Sequence, residues 1–267
     1  MNNKNNKHTF VVLAYKESKY LEDCIKSVLS QTIKTNAVIA TSTPNSYIEK
    51  LAKKYNLKII INNEPKGIAY DFNFAVNCIN SKLITIAHQD DIYDENYAEK
   101  IIEEYDKNEN SSIIFSDYYE IRQDKKVYNN INLKIKRILL RPLLKKKNGS
   151  KLYFRRKVLK YGNSICCPAV TFVTKNTPKN VFICDFKCNV DWFAWEQISK
   201  INKSFIYIPD KLMGHRISEE TTTTDIINNG IRTKEDYIMF KKFWPNIIAK
   251  ILTKIYKMSE KSNSIDK

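Results

Sequence analysis

The residues best suited to chemistry stand at the end of an apolar run. The stretch "LITIAHQDDIYDENY", residues 83–97, is a β-rich hydrophobic segment (Leu83 to Ala87) that leads straight into His88-Gln89-Asp90-Asp91. The carboxyl edge of a strand is where open α/β sheets bind their ligands. Two adjacent carboxylates there repel each other and need a cation, a donor network or a protonation shift to coexist. A hard divalent ion is one such cation, because it takes oxygen ligands and commonly holds substrate phosphates as well. Acidic residues also suit the start of a helix, whose dipole favours negative charge. On this stretch alone, both uses stand.

The elements that must position these residues alternate along the chain. Phe10–Ala14 reads as a strand, followed at helical spacing by Tyr20, Leu21, Cys24, Ile25, Val28 and Leu29. Ala37–Ala40 reads as a second strand, with Pro44 starting a helix through Ile48, Leu51, Ala52 and Tyr55. Leu57–Ile61 is a third strand, Gly67 opens a helix through Phe72, Ala75 and Val76, Leu83–Ala87 is a fourth strand and Ile113–Phe115 a fifth. Strands alternating with helices predict an α/β fold with a parallel, doubly wound sheet. The chain has no G-x-G-x-x-G and no P-loop, which argues against an ordinary dinucleotide or ATP fold. After residue 116 the alternation lapses, and a helix through Val190, Phe193, Ala194, Gln197, Ile198 and Ile201 and a strand at Phe205–Ile208 follow.

At 267 residues and 43% hydrophobic, the chain is long enough for one large globular domain with an appendage. No run approaches the roughly 20 apolar residues of a membrane span, and Met1 to His8 is polar, without the apolar core of a signal peptide. The six cysteines, Cys166-Cys167 among them, read as reduced thiols. Cys184 and Cys188 have a metal-like spacing but no accompanying His/Cys cluster. The net charge of +16 attracts anions and is unevenly distributed. Lys134 to Lys157 holds eleven Lys/Arg and no Asp or Glu, interleaved with Ile135, Ile138, Leu139, Leu140, Leu143 and Leu144. From Ile226 the chain is again basic, with Phe240, Phe243, Trp244, Ile247, Ile248, Ile251, Leu252 and Ile255 at largely helical spacing. Basic and apolar residues together fit a peripheral membrane face or a polyanion site. They equally fit a solvated helix packed by its apolar stripe.

The ordered motifs resemble family 2 glycosyltransferases, which have the GT-A fold. "FVVLAYKESKYLEDCIKSVLSQT" is similar to the family's opening, "NEPKGIAYDFNFAV" to its Gly-containing helix start and "IAHQDDIY" to its Asp-x-Asp metal motif. "NVDWFAW" resembles the acceptor-side carboxylate motif and "GHRISEETTTT" the late His/Arg and Ser/Thr loop, so the likeness runs over residues 8–225. It implies a mostly parallel, Rossmann-like sheet flanked by helices, with a nucleotide-sugar-binding half over 8–118 and an acceptor half with the basic insertion over 119–225. Around these lie a disordered tail at 1–7 and a basic amphipathic helical tail at 226–267. It also implies an inverting transfer from a nucleotide-diphosphate sugar, UDP by default, to a glycan or lipid-linked hydroxyl in surface polysaccharide or glycolipid assembly. Such an enzyme would be cytoplasmic, at the inner face of the membrane, with an anionic lipid surface and no nucleic acid as partner.

The site follows residue by residue. Asp90 and Asp91 would carry Mn²⁺ or Mg²⁺, with His215 as a further metal or diphosphate ligand. Ala14, Tyr15, Glu17, Asp71, Asn73, His88, Asp90 and Arg216 would lie against the nucleotide, with capping of the helix after Gly67 as the alternative use of Asp71 and Asn73. Where the family's second strand ends in acidic residues, this chain has Thr41, Ser42 and Thr43, whose hydroxyls can still hydrogen-bond a base. His88 stands at the first Asp of the metal motif, and Ser218 where a late His is common. The diphosphate's developing charge needs a cation, and the acceptor hydroxyl needs a base on the far side of the sugar. Asp191 is the candidate base, with Trp192, Phe193 and Trp195 able to desolvate it. Its bland alternative is a helix N-cap. A single base without an enzyme nucleophile implies inversion. Two other classes share some of these features. A nucleotidyltransferase would want a glycine-rich loop where this chain has "AYKESKY", and a nucleic-acid-binding protein would want a recognisable reading motif, which is missing.

Overall fold

The protein, a computed structural model, is described over residues 7–63, 65, 67–217 and 230–261. The first half alternates as its periodicity predicts: β1 (His8–Ala14), α1 (Leu21–Leu29), β2 (Asn36–Thr41), α2 (Ser46–Lys54), β3 (Lys58–Ile61), α3 (Ile68–Asn77) and β4 (Leu83–His88). α1 buries Leu21, Cys24, Ile25 and Val28 on one face and sets Glu22 and Asp23 in its first turn, toward the positive end of the helix dipole. α2 begins at Ser46, not at Pro44, because the Asn45 side chain accepts from the Ile48 amide at 3.0 Å and caps the helix.

Beyond β4 come β5 (Ile92–Tyr93), α4 (Tyr97–Lys107), β6 (Ser111–Arg122), β7 (Lys125–Val127), α5 (Ile131–Leu140), α6 (Lys146–Gly149) and α7 (Leu152–Lys157). The chain closes with β8 (Val170–Val173), α8 (Val190–Lys200), β9 (Ser204–Ile217), α9 (Ile231–Lys241) and α10 (Asn246–Lys261). The sheet order is β3-β2-β1-β4-β8-β6-β9-β5, with β7 folded back on β6. β3, β2, β1 and β4 are parallel, while β8 runs antiparallel to both β4 and β6. The sheet is therefore mixed: the parallel pairing read from the alternation holds through β3, β2, β1 and β4 and recurs between β6 and β9. β6 is also far longer than Ile113–Phe115. Ser116 and Asp117 look like a strand end in sequence, but Arg137 donates to the buried Asp117 carboxylate at 2.6 Å and lets the strand continue.

Helices cover both faces. One core layer joins α3, α8 and the C-terminal helices through Phe72, Phe182, Trp192, Trp195, Met239, Phe240 and Ala249. The other joins α1, α2 and α4 through Leu21, Ile25, Leu51, Tyr97 and Ile101. α9 and α10 are thus docked on the core, with Trp192 and Phe240 rings edge to face at 5.2 Å.

The basic segment is partly structural. Arg155 is buried and donates to the carbonyls of Ser199, Gly149 and Ile201. Arg156 pairs with Glu196 and also donates to the Lys242 carbonyl, and Lys146 reaches the Tyr207 carbonyl and Glu104. These three cations bind the molecule to itself. The six cysteines are free thiols, with Cys24, Cys166 and Cys167 buried.

Candidate active site

Strand pairing brings the acidic loop to its partners. β4 runs beside β1 with His88 opposite Leu13, so the Asp-bearing turn lies next to Ala14 and Tyr15. Gln89 fastens the two ends: its side-chain carbonyl accepts from the Tyr15 amide at 2.9 Å and its NH₂ donates to the Tyr15 carbonyl at 3.1 Å. β5 pairs antiparallel with β9, with Ile92 opposite Gly214. One step along that register Asp91 meets His215. Gly214 is needed there because a Cβ would stand 2.5 Å from the Tyr119 ring.

Asp91 is fully buried. Its Oδ1 takes the His215 Nδ1 at 2.9 Å and the Arg216 amide at 2.9 Å. Its Oδ2 has no hydrogen-bond donor and sits 3.9 Å from His88 Nδ1. Arg216 braces the loop further. Its Nε donates to the Asp90 carbonyl at 3.1 Å, one terminal nitrogen to Asp124 at 2.7 Å, and its guanidinium lies 4.0 Å from the centre of the Tyr20 ring. Burial, reinforced by Asp91, pushes the Asp90 carboxyl up to about 6. Burial also lowers His88 to about 4, so that ring is neutral at pH 7, stacked on Phe72. At His215 burial opposes the charged ring, yet the charge and hydrogen bond of Asp91, with Asp90 behind it, outweigh that and raise its pKa.

Two adjacent carboxylates are thus held together here, with Arg216 and His215 beside them. Neither carboxylate caps α4, whose N-cap is Asn96. Among the described residues no three His, Cys, Asp or Glu side chains form a ready-made ion cage. A Mg²⁺-type ion does not require one, since it keeps waters and takes substrate phosphates. The donorless, buried Asp91 Oδ2 beside Asp90 suits such an ion. His215, with Nδ1 on Asp91, would offer it only Nε2, in the manner of a carboxylate-oriented histidine.

On the nucleotide side the expected residues spread over the sheet edge. Tyr15 and Glu17 are exposed beyond β1. Thr41 is buried, its hydroxyl accepting from the Thr43 amide, and Ser42 donates to Asp71, which also takes the Asn62 amide at 2.8 Å. Asp71 thus gathers the ends of β2 and β3 and does not cap α3. Asn73 points elsewhere: it donates to the Phe182 carbonyl at 2.8 Å and accepts from the Phe182 amide at 3.1 Å.

On the other side, Asp191 lies in the first turn of α8, after the N-cap Asn189. The N-cap alternative is set aside by this placement. Asn163 donates to its Oδ2 at 2.6 Å and the Trp192 amide to its Oδ1 at 2.8 Å, while burial raises its pKa. The loop leading in is held from α9. Glu235, itself buried, accepts from the amides of Lys187 at 2.7 Å, Cys188 at 2.9 Å and Asn189 at 2.8 Å, and Asp236 takes the Asn189 side chain at 2.7 Å. Between the two ends stands Lys136 of α5, donating to the Tyr118 hydroxyl at 2.8 Å. Tyr118 in turn meets the His215 ring edge to face at 6.1 Å. Gln89, Asn163, Lys136 and Glu235 are additions that sequence spacing did not single out. Ser218 and the Thr run after it lie outside the described residues.

The model of the glycosyl transferase family 2 matches residues 9–176, more than half of the chain. The chain belongs to that family. An uncharacterized glycosyltransferase of Haemophilus influenzae is 24% identical over 221 residues, covering 80% of this chain and 66% of that protein. Among solved structures, S. aureus TarS 1–349 in complex with UDP-GlcNAc superposes with a TM-score of 0.62 at 13% identity, over 92% of this chain and 70% of that one. The Pyrobaculum calidifontis mannosyltransferase PcManGT, with GDP-Man and Mn²⁺, gives 0.62 at 12% identity, over 98% and 76%. The longer TarS structure is matched over only 42% of its length. The family and the GT-A-type sheet with C-terminal helices are as the sequence motifs implied.

Proposed function

We propose that this protein transfers a sugar, with inversion, from a nucleotide-diphosphate sugar to a hydroxyl of a glycan or lipid-linked acceptor, and that UDP is the carrier. The observation that carries the reading is Asp91, fixed on one oxygen by His215 and the Arg216 amide and left without a donor on the other. Family membership and neighbours solved with UDP-GlcNAc or with GDP-Man and Mn²⁺ support it. A divalent ion held by Asp90 and Asp91 would supply positive charge to the diphosphate.

The chain's own residues supply the rest. Gln89 keeps the acidic loop against Tyr15, and Tyr15, Glu17 and Ser42 receive the nucleoside, while the buried Thr41 shapes the turn beneath them. Asp191 takes the proton from the attacking hydroxyl, its carboxylate aimed by Asn163 and the Trp192 amide. Its raised pKa makes it a stronger base than a solvated carboxylate. With Asp191 as the one base and no enzyme nucleophile called on, a single displacement is the course proposed.

The product belongs to surface polysaccharide or glycolipid assembly at the inner face of the cell membrane, without nucleic acid as a partner. No described helix is long and apolar enough to cross a membrane. The reading is tested by incubating the chain with UDP- and GDP-sugars and Mn²⁺ and following nucleoside diphosphate. Release that depends on the ion and disappears in Asp91→Asn supports it, and release of pyrophosphate instead would turn it toward nucleotidyl transfer.

A further inference from the structure

α10 has two apolar faces, where a helix docked on a core requires one. The inner face carries Ala249, Leu252, Thr253 and Tyr256; Ala249 and Thr253 are buried and Leu252 and Tyr256 pack on the core. The Tyr256 ring lies 5.9 Å from that of Trp192, the residue after Asp191. A Cβ at Gly162, next to Asn163, would come within 2.8 Å of the same ring. The inner face of α10 therefore abuts the Asp191 end of the site.

The outer face is open. Ile247 is 76% exposed, Ile251 53%, Ile255 58% and Met258 71%, one stripe at spacings of four, four and three. Exposed Lys250, Lys254 and Lys257 flank it, and no Asp or Glu occurs from Tyr237 to Met258. α5 shows a second such stripe in Ile131, Ile135 and Ile138, with exposed Lys134 and Arg141 beside it.

Aliphatic stripes this exposed mark an interaction surface. Their rim decides what for. A second copy related by a twofold axis would set these lysines against their own images. An anionic bilayer would neutralise them while its acyl boundary covers the isoleucines, as it does for helices lying in the interface plane. We infer that α10 seats the molecule on an anionic lipid surface and turns the Asp191 end of the site toward it. The proposed function gives this docking its use, a lipid-linked acceptor, but the docking stands on its own contacts. Within the basic segment Lys134 to Lys157, Lys146, Arg155 and Arg156 are engaged internally, so these three are not contact charges.

The test is sedimentation of the full chain with vesicles of phosphatidylcholine alone or mixed with phosphatidylglycerol. Binding should require phosphatidylglycerol and weaken sharply with added salt. Replacing Ile247, Ile251 and Ile255 together by Ser should cut binding about tenfold at unchanged thermal stability, and so should Lys250→Gln, Lys254→Gln and Lys257→Gln together. Asp191→Asn should bind vesicles like the parent, so a failure of the catalytic reading leaves this result standing. Equal binding by the triple Ser variant, equal binding to pure phosphatidylcholine, or a solution dimer that the Ser variant breaks while vesicles bind neither form, would each overturn the inference.

Discussion

Asp91 and Asp191 are both shielded carboxylates, but their surroundings give them different work. Asp91 has two donors on one oxygen and none on the other. Asp191 has one donor on each. Asp91→Asn should keep the fold, because a carbonyl can still accept from the Arg216 amide, and should lower turnover by roughly 10²-fold or more. Calorimetric titration of UDP with Mn²⁺ should show its nucleotide affinity falling in step. Asp191→Asn should leave that affinity intact and abolish transfer. The pH dependence follows from the same residue. A base works only when ionised, and burial raises the Asp191 pKa, so kcat/KM should fall on acidification at a pH above the ordinary carboxylate value of about 4. An acid limb at or below that value would remove Asp191 from the role. The paired aspartates and Asp191 stand out in the sequence because charge is conspicuous against an apolar run or just before tryptophans. Gln89, Asn163 and Glu235 do not, since each is one polar residue among many and meets its partner across 74, 28 and about 46 positions of chain.

The elements that hold the site show the same division. β1 to β4 and their helices were legible because their apolar periodicity is local. The antiparallel entry of β8 between β4 and β6 was not, because strand direction depends on where a distant segment returns. The true length of β6 was hidden by Asp117 and Glu120, polar in sequence but neutralised by Arg137 and Arg122 in the fold. Gly214 is a testable hinge of this arrangement. Gly214→Ala would drive a methyl into the Tyr119 ring and displace β9 from β5, so it should destabilise the protein by about 1–3 kcal/mol. Because His215 and Arg216 follow directly, nucleotide affinity should drop as well, and denaturant unfolding with a titration would read both. Glu235 is the matching device beside Asp191. Glu235→Ala leaves three amides without their common acceptor, and should lower kcat while the affinity for UDP-sugar is kept. Loss of nucleotide affinity without loss of kcat would place Glu235's influence at the other end.

Across the whole molecule, a mixed sheet carries a +16 chain in which buried acidic residues such as Asp91 and Glu196 are paired internally. One buried polar line ties the sheet to α4: His8 Nε2 lies 2.8 Å from Thr85 Oγ1, which lies 2.6 Å from Thr171 Oγ1, itself 3.1 Å from the Tyr97 hydroxyl. Burial lowers the His8 pKa to about 3. Between its ordinary value and that one, the unfolded chain binds a proton that the folded chain refuses, so stability falls as pH falls through this window. The slope is at most about 1.4 kcal/mol per pH unit for that one group. Urea unfolding at pH 7 and pH 5 should show a smaller difference for His8→Gln than for the parent. The proposed reaction rests on the acidic loop between β4 and β5, and the most direct measurement is nucleoside diphosphate release from UDP-sugars by the parent and by Asp91→Asn, each with Mn²⁺ and with EDTA. Release by the parent with Mn²⁺ alone, lost in the variant, is the predicted result; release that persists in EDTA, or that Asp91→Asn leaves unchanged, would contradict it.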